Sequence, residues 1–280
     1  MNDIPIKAGV IGWPIDHSLS PRLHGFWLDQ FAISGTYQAI AVEPGALSDK
    51  IRNLAASGYA GLNVTVPHKE RVMDYLDDIS RPAKRIGAVN TIVVDEQGRL
   101  KGSNTDGYGF LENVRQGYPG FDASSGPAVI LGAGGAARAI VVALLDAGTP
   151  SIILTNRTRV RAEELAADIG GPIEVVDWDS RNTALRDASL LVNTTTLGMT
   201  GKPALDLSLD ALPKEALVND IVYAPLETAL LREAKARGNA VVDGIGMLLH
   251  QARPGFAAWF GVEPEVTAGL RQHVLAGMGA

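Results

Sequence analysis

The chain has 280 residues, more than one small core organises and about right for two domains. Apolar residues make up 46% and charged residues 20%, with a net charge of −6 and no cysteine. This balance excludes a basic nucleic-acid surface, and the missing cysteines exclude disulfides, thiol nucleophiles and cysteine-ligated zinc. The opening MNDIPIKAGVIGWP lacks the basic and apolar regions of a secretory leader, and no apolar run approaches a bilayer span. A soluble cytoplasmic protein, with neither a membrane nor a nucleic-acid partner, is expected.

In chain order, AGVIGW, TYQAIAV, GLNVTV and AVNTIVV read as strands, with helical stretches between them. A helix is predicted from Ser20-Pro21, Ser20 as N-cap and Pro21 in the first position. Another is predicted through GALSDKIRNLAASG, ending at Gly58. In NVTVPHKE the alternation of Val64 and Val66 with Asn63 and Thr65 predicts a strand with two unlike faces, ended by Pro67 just before Lys69. From about Gly107 a second series begins, with strands PAVILG, SIILTN, IEVVDW, LLVNTT, ALVNDIVY and AVVDG. Helices AARAIVVALLDAG, RVRAEELAADIG and ETALLREAKARG separate several of them. The predicted class is α/β: an N-terminal α/β domain over 1–106, a doubly wound parallel Rossmann-type domain over 107–243, and helices from 244 to 280.

The sequence Gly132-Ala133-Gly134-Gly135-Ala136-Ala137 fits G-x-G-x-x-A between a strand and a helix. Gly132 allows the tight turn, Gly134 lets backbone approach a pyrophosphate, and Ala137 permits close helix packing. Turn glycines alone would look the same; the strand before and the helix after favour a dinucleotide on the helix N-terminus. The next strand ends in Asn156-Arg157-Thr158, where an NAD enzyme usually places a carboxylate for the ribose 2′-hydroxyl. The same absence argues against S-adenosylmethionine. If a helix starts near Thr158, Arg157 and Arg161 fall one turn apart on one face, a clamp for the 2′-phosphate of NADP.

Polar clusters collect at strand ends in the first half: Ser18-Leu19-Ser20, Asn63/Thr65/Lys69, Asn90-Thr91 and Asn104-Thr105-Asp106. Amides and hydroxyls dominate, which suits a polyhydroxylated small molecule rather than a metal. Ser20 and Asp106 could equally be helix caps. The five histidines show no metal-ligand spacing, so no metal is expected.

Together HSLSP (17–21), NVTVPHK (63–69), GAVNT (87–91), NTDG (104–107), GAGGAAR (132–138), NRTRVR (156–161), DIVYAP (220–225) and GMLLHQA (246–252) resemble the shikimate dehydrogenase family. The resemblance runs in order along nearly the whole chain. It implies NADP-dependent reversible reduction of 3-dehydroshikimate to shikimate, in chorismate and aromatic amino acid biosynthesis. By position it implies a catalytic pair Lys69 and Asp106. It implies substrate contacts at Ser18, Ser20, Asn63, Thr65, Asn90, Tyr223 and Gln251. It implies NADP contacts at Gly132, Ala133, Gly134, Gly135, Ala136, Asn156, Arg157, Thr158 and Arg161, with Thr194 and Gly244 as further candidates. In the family's fold the segment from Gly244 returns to the first domain. Gly25 after His24, and Thr194-Thr195-Thr196 after Asn193, depart from common family patterns. Ser20, rather than Thr, looks more like a shikimate than a quinate preference. A monomer or homodimer is expected. Two alternatives stay open: an NAD-preferring quinate/shikimate dehydrogenase, and a non-catalytic NADP-binding sensor.

Overall fold

The structure, a computed structural model, describes residues 5–278. The chain divides into two compact units. One comprises the residues up to Thr105 and those from Leu248 on; the other is Asp106–Met247.

The first unit begins with β1 (Ile6–Gly12), α1 (Ser20–Gln30), β2 (Gly35–Ala41), α2 (Leu47–Arg52) and β3 (Tyr59–Val64). It continues through β4 (Asp78–Ile79), α3 (Arg81–Ile86), β5 (Thr91–Val94) and β6 (Leu100–Ser103). Its sheet order is β2-β1-β3-β5-β6-β4. β1 runs parallel to β2 and β3, whereas β5 is antiparallel to both β3 and β6.

The alternation in β3 is real, but both faces are buried. Leu62 and Val64 join a core with Leu47, Ile51, Leu54 and Val72. Gly61 and Asn63 point the other way, and Asn63 is 5% exposed. A strand flanked by neighbours and covered on both sides has no solvent face to advertise. The strand also stops at Val64, leaving Val66 69% exposed beyond its end.

Two helix boundaries differ from expectation. Leu19, not Ser20, is the N-cap of α1, and Ser18 Oγ accepts the Ser20 N–H at 3.3 Å. The serine side chain thus stabilises the turn before the helix instead of capping its first turn. The segment 45–58 is helical only in part: a 3-10 turn (Pro44–Ala46) leads into α2, which Asn53 ends.

The second unit opens with α4 (Asp106–Gly117), followed by β7 (Ala128–Leu131), α5 (Gly135–Asp146), β8 (Ile152–Thr155) and α6 (Arg159–Ile169). Then come β9 (Ile173–Val176), β10 (Leu190–Asn193), β11 (Leu217–Asp220), α7 (Ala229–Arg237) and β12 (Val241–Val242). All pairings are parallel, in the order β12-β11-β10-β7-β8-β9. The order reverses at β7, giving the doubly wound arrangement with its switch point between β7 and β10. Leu131, Leu191 and Val218 pack against Leu230, Leu231 and Ala234 of α7.

Two helices close the chain, α8 (Ile245–Phe260) and α9 (Ala268–Leu275). In the first unit, α8 brings Trp259 against the sheet, where its Nε1 donates to the Ile92 carbonyl at 2.9 Å, and Phe256 against His24 and Trp27 of α1. None of the described helices is long and apolar enough to cross a membrane.

Gly61 makes this contact possible. A Cβ there would collide with the Ile92 carbonyl and Trp259 Nε1, the two ends of that hydrogen bond. Gly61→Ala should therefore destabilise the protein by at least about 2 kcal/mol. Urea denaturation followed by tryptophan fluorescence reads the loss; a midpoint unchanged from wild type would show that the indole yields freely.

Candidate active site

In the first unit, the polar residues predicted as a group converge beside β3, β5 and β6. Tyr37 Oη donates to Asn63 Oδ1 at 2.6 Å. Asn63 Nδ2 donates to the Asn90 carbonyl at 3.1 Å and to Thr91 Oγ1 at 3.2 Å. The Thr91 hydroxyl then donates to Asn90 Oδ1 at 2.9 Å, which also accepts the Thr105 N–H at 2.9 Å. Asn90 Nδ2 reaches Thr105 Oγ1 at 3.1 Å and Gln251 Oε1 at 3.2 Å. The Thr105 hydroxyl donates to the Gln251 carbonyl at 2.8 Å.

This arrangement has a chemical consequence. A side-chain amide offers two protons and two lone pairs, and Asn90 uses all four within the protein. A ligand hydroxyl reaching Asn90 must replace one of these bonds, and Gln251, on the partly exposed side, is the partner that can yield. Buried amides fixed in this way carry little reorganisation cost on binding.

Tyr37 was not among the sequence-predicted residues. Its ring stacks on His24 at 3.8 Å with 6° between planes, and burial pushes its phenol well up, opposed by the Ser20 hydroxyl. His24, enclosed also by Trp27 and Phe256, is pushed down to about 3 by burial, opposed by the Asn63 amide. Both rings are therefore neutral at ordinary pH. An aromatic residue in a strand gave no signal of this role, because the partner, Asn63, is 26 residues away.

Ser18 and Thr65 are partly buried at the same strand ends, and Thr65 N–H donates to the Ile11 carbonyl at 2.9 Å. Lys69 is half-buried, and its carbonyl accepts the Val89 N–H at 2.8 Å. The neighbouring His68 is fully buried with Nε2 2.7 Å from the Val42 carbonyl, so it anchors the turn and faces away from solvent.

In the second unit, Asp106 is buried in the first turn of α4. The Gly132 turn has φ +108°, and its N–H donates to the Thr155 carbonyl at 2.8 Å. A Cβ on Gly132 would meet Thr194 Oγ1 at 2.6 Å, so only glycine lets the turn approach the loop after β10. Gly134 caps α5 in extended geometry without a side-chain hydrogen bond, and the space beyond Gly134 and Gly135 is open. A glycine turn opening onto a helix N-terminus, with no side chain over it, suits a phosphate. Ala133 and Ala136 flank this turn, and Ala137 is fully buried beneath it.

At the end of β8, Asn156 Nδ2 donates to the Thr158 carbonyl at 2.8 Å, and Thr158 is the N-cap of α6. Arg157 lies in the bend before the helix, not on its first turn, so the helical spacing expected between Arg157 and Arg161 does not hold. Both are exposed. Arg159 is committed elsewhere, to Glu163 and Asp177 at 2.7 Å each. A dianion here would meet Arg157 from the bend and Arg161 from the helix.

A second buried network went unforeseen. Asp220, at the end of β11 and fully buried, accepts Thr228 Oγ1 at 2.7 Å, Asn193 Nδ2 at 2.9 Å and the Val222 N–H at 3.0 Å. Tyr223 follows on this loop, and burial pushes its phenol up. Gly244 comes so close to the same loop that a Cβ would strike the Ile221 carbonyl.

Burial pushes the Asp220 carboxyl from 3.8 up to about 6, against its three donors from Thr228, Val222 and Asn193. Between those values the fold holds a proton that the unfolded chain has released. Stability therefore falls as pH rises through this window, by on the order of 3 kcal/mol in all. Asp220→Asn lacks this component. Its stability relative to wild type should improve by that order between about pH 4 and about pH 7, measured by urea denaturation. A difference that stays flat with pH would mean that the carboxyl binds its proton no more tightly in the fold.

Comparison with known proteins finds similarity over nearly the whole chain. Residues 10–92 match the family model described as shikimate dehydrogenase substrate binding domain, and residues 118–199 match shikimate / quinate 5-dehydrogenase. A shikimate dehydrogenase (NADP(+)) from Paramagnetospirillum magneticum is 61% identical over 269 residues, covering 96% of this chain and 98% of the relative. The structure is similar to shikimate 5-dehydrogenase from Thermus thermophilus in complex with NADP(H) and shikimate, with TM-score 0.86 and 38% identity. That match covers 97% of this chain and 99% of the other. It is also similar to quinate dehydrogenase from Corynebacterium glutamicum in complex with NAD, with TM-score 0.90, 32% identity and the same coverage of both chains. Identity of this extent over nearly every residue leaves one conclusion: the chain belongs to the shikimate dehydrogenase family.

Proposed function

We propose that this protein is an NADP-dependent shikimate dehydrogenase that reduces 3-dehydroshikimate to shikimate, reversibly, on the route to chorismate and the aromatic amino acids. The observation that carries the reading is end-to-end similarity to an enzyme of that name, at 61% identity. The polar chemistry of the first unit supports the substrate class. Ser18, Ser20, Asn63, Thr65, Asn90 and Gln251 offer hydroxyls and amides, the groups that match a polyhydroxylated ring.

The second unit fits the dinucleotide. Gly132, Ala133, Gly134, Gly135 and Ala136 would cradle its phosphates at the N-terminus of α5. Asn156, Arg157, Thr158 and Arg161 would hold the 2′-phosphate, Thr194 and Gly244 would contact the rest of the cofactor, and Tyr223 would contact the substrate. When bound, NADPH supplies a hydride to the ketone carbon. Negative charge then grows on the carbonyl oxygen, where Lys69 donates a proton. Asp106 is the second member of the proposed acid–base pair. In the reverse direction Lys69 accepts the hydroxyl proton. The same assignment gives the first unit, Gln251 included, most of the substrate contacts, and the second unit the cofactor role.

The similarity to an NAD-bound quinate dehydrogenase makes specificity a question of residues rather than fold. Two charged hydrogen bonds from Arg157 and Arg161, at roughly 1.5 kcal/mol or more each, favour NADP by about a hundredfold or more. Arg157→Ala should raise the NADP KM at least about tenfold and leave NAD turnover nearly unchanged. Equal losses with both cofactors would remove Arg157 from the 2′-phosphate. Assays with shikimate and quinate against NADP and NAD test the activity itself; preference for quinate with NAD would overturn the proposal.

Lys69→Ala should lower kcat by about 10²–10⁴-fold while the shikimate KM stays close to wild type. A raised KM with kcat intact would make Lys69 a binding residue only.

A further inference from the structure

The loops after β10 and β11 share one buried anchor. Asn193, the last residue of β10, donates one amide proton to Asp220 and lies 3.2 Å from the Leu197 carbonyl with the same nitrogen. Its Oδ1 accepts the Thr195 N–H at 3.1 Å and the Thr195 hydroxyl at 2.8 Å. Thr195 Oγ1 in turn accepts the Leu197 N–H at 3.0 Å. The whole turn after β10 is thereby wound around the Asn193 side chain, and that side chain is held by Asp220.

The loop after β11 is tied to the same carboxylate twice. Val222 N–H reaches one oxygen, two residues along the chain, and Thr228 Oγ1 reaches the other from the N-terminus of α7. Thr228 also accepts the Leu231 N–H at 3.3 Å, so the helix start is part of the assembly. The two loops then meet directly, Thr200 N–H donating to the Ala224 carbonyl at 2.7 Å. Asn193, Asp220 and Thr228 are each 1% exposed or less.

These loops stand on the half of the doubly wound sheet that takes the second mononucleotide of a dinucleotide. Thr194 binds the Leu131 carbonyl through both its N–H at 2.9 Å and its hydroxyl at 2.6 Å, immediately before the Gly132 turn. An anchor that moved would carry Thr194 and Tyr223 with it.

We propose that Asp220 is a positioning residue whose buried carboxylate locks the 194–200 and 221–228 loops into one rigid wall for the nicotinamide half of the cofactor. An isolated buried carboxylate is a poor stabiliser, since replacing buried ionic groups with apolar ones is often neutral or favourable. Here one anion collects donors from three separate segments, which no apolar side chain can do. The gain is therefore in placement. Preorganised walls lower the ordering cost on binding and hold the reacting atoms in line.

This inference rests on the NADP-dependent reading above, and its test has a readout that does not need turnover. Four variants form a graded series: Thr228→Ser keeps all three bonds, Thr228→Val removes one, Asp220→Asn weakens one, and Asp220→Ala removes all. The measurements are kcat, NADP affinity by fluorescence titration, and amide hydrogen exchange, well below each variant's Tm. Expected are near wild-type values for Thr228→Ser, and at least about tenfold losses in kcat and NADP affinity for Asp220→Ala. Faster exchange should be concentrated in 194–200 and 221–228, with Thr228→Val and Asp220→Asn in between. Where Asp220→Ala does not fold, Thr228→Val carries the same test. Variants with a lowered Tm but cofactor affinity and kcat within twofold of wild type would overturn the proposal, whatever their exchange pattern. If wild type itself fails to oxidise shikimate with NADP, the activity assignment falls, and affinity for the dinucleotide it does bind still decides the role of Asp220.

Discussion

A buried polar group must be paired, and this single constraint shapes both units. In the first unit it acts on amides. Asn63 and Asn90 are buried at strand ends: Asn63 is bonded to Tyr37, Thr91 and the Asn90 carbonyl, and Asn90 to Thr91, Thr105 and Gln251. In the second it acts on a carboxylate, Asp220, enclosed by Asn193, Thr228 and a backbone N–H. In each case the pairing holds rigid a set of residues that a ligand would meet.

The two networks differ in what they cost. Amide to hydroxyl bonds are neutral, and their net contribution is modest, about 1 kcal/mol each. Asp220 carries a charge, and burial raises its proton affinity despite three donors. A group that lowers stability near neutral pH but organises two loops fits the general tendency for functional sites to hold strained or costly features. The aromatic floor of the first unit offsets such costs there: His24 lies flat on Tyr37, with Trp27, Phe256 and Trp259 around them. That floor keeps the Tyr37 hydroxyl aimed at Asn63.

Membership of the two units departs from chain order. Thr105 closes the amide network of the first unit, while the next residue, Asp106, opens the first helix of the second. Gln251 joins the first unit although it follows the whole parallel sheet in sequence.

Local patterns in the sequence were enough to determine much of this. The alternation of strands and helices after Gly107 specified a parallel doubly wound sheet, because short apolar runs separated by amphipathic helices have few other ways to be buried. The glycine turn at 132–135 was legible because tight turns and phosphate approach demand residues without side chains. The Asn156-Arg157 strand end stood out because a missing carboxylate is itself a chemical statement, although the helical spacing expected of Arg157 and Arg161 did not hold. Asn63, Asn90 and Gln251 were recognisable as a family pattern, but not as partners. Tertiary structure alone decided that Tyr37 holds Asn63, that Arg159 also reaches Asp177, and that Asp220 unites β10, β11 and α7. The reason is physical: helix and strand periodicity depends on neighbours within a few residues, whereas the bonds from Tyr37 to Asn63, Arg159 to Asp177 and Asp220 to Asn193 join groups 18 to 27 residues apart and exist only once the sheets have brought strand ends together.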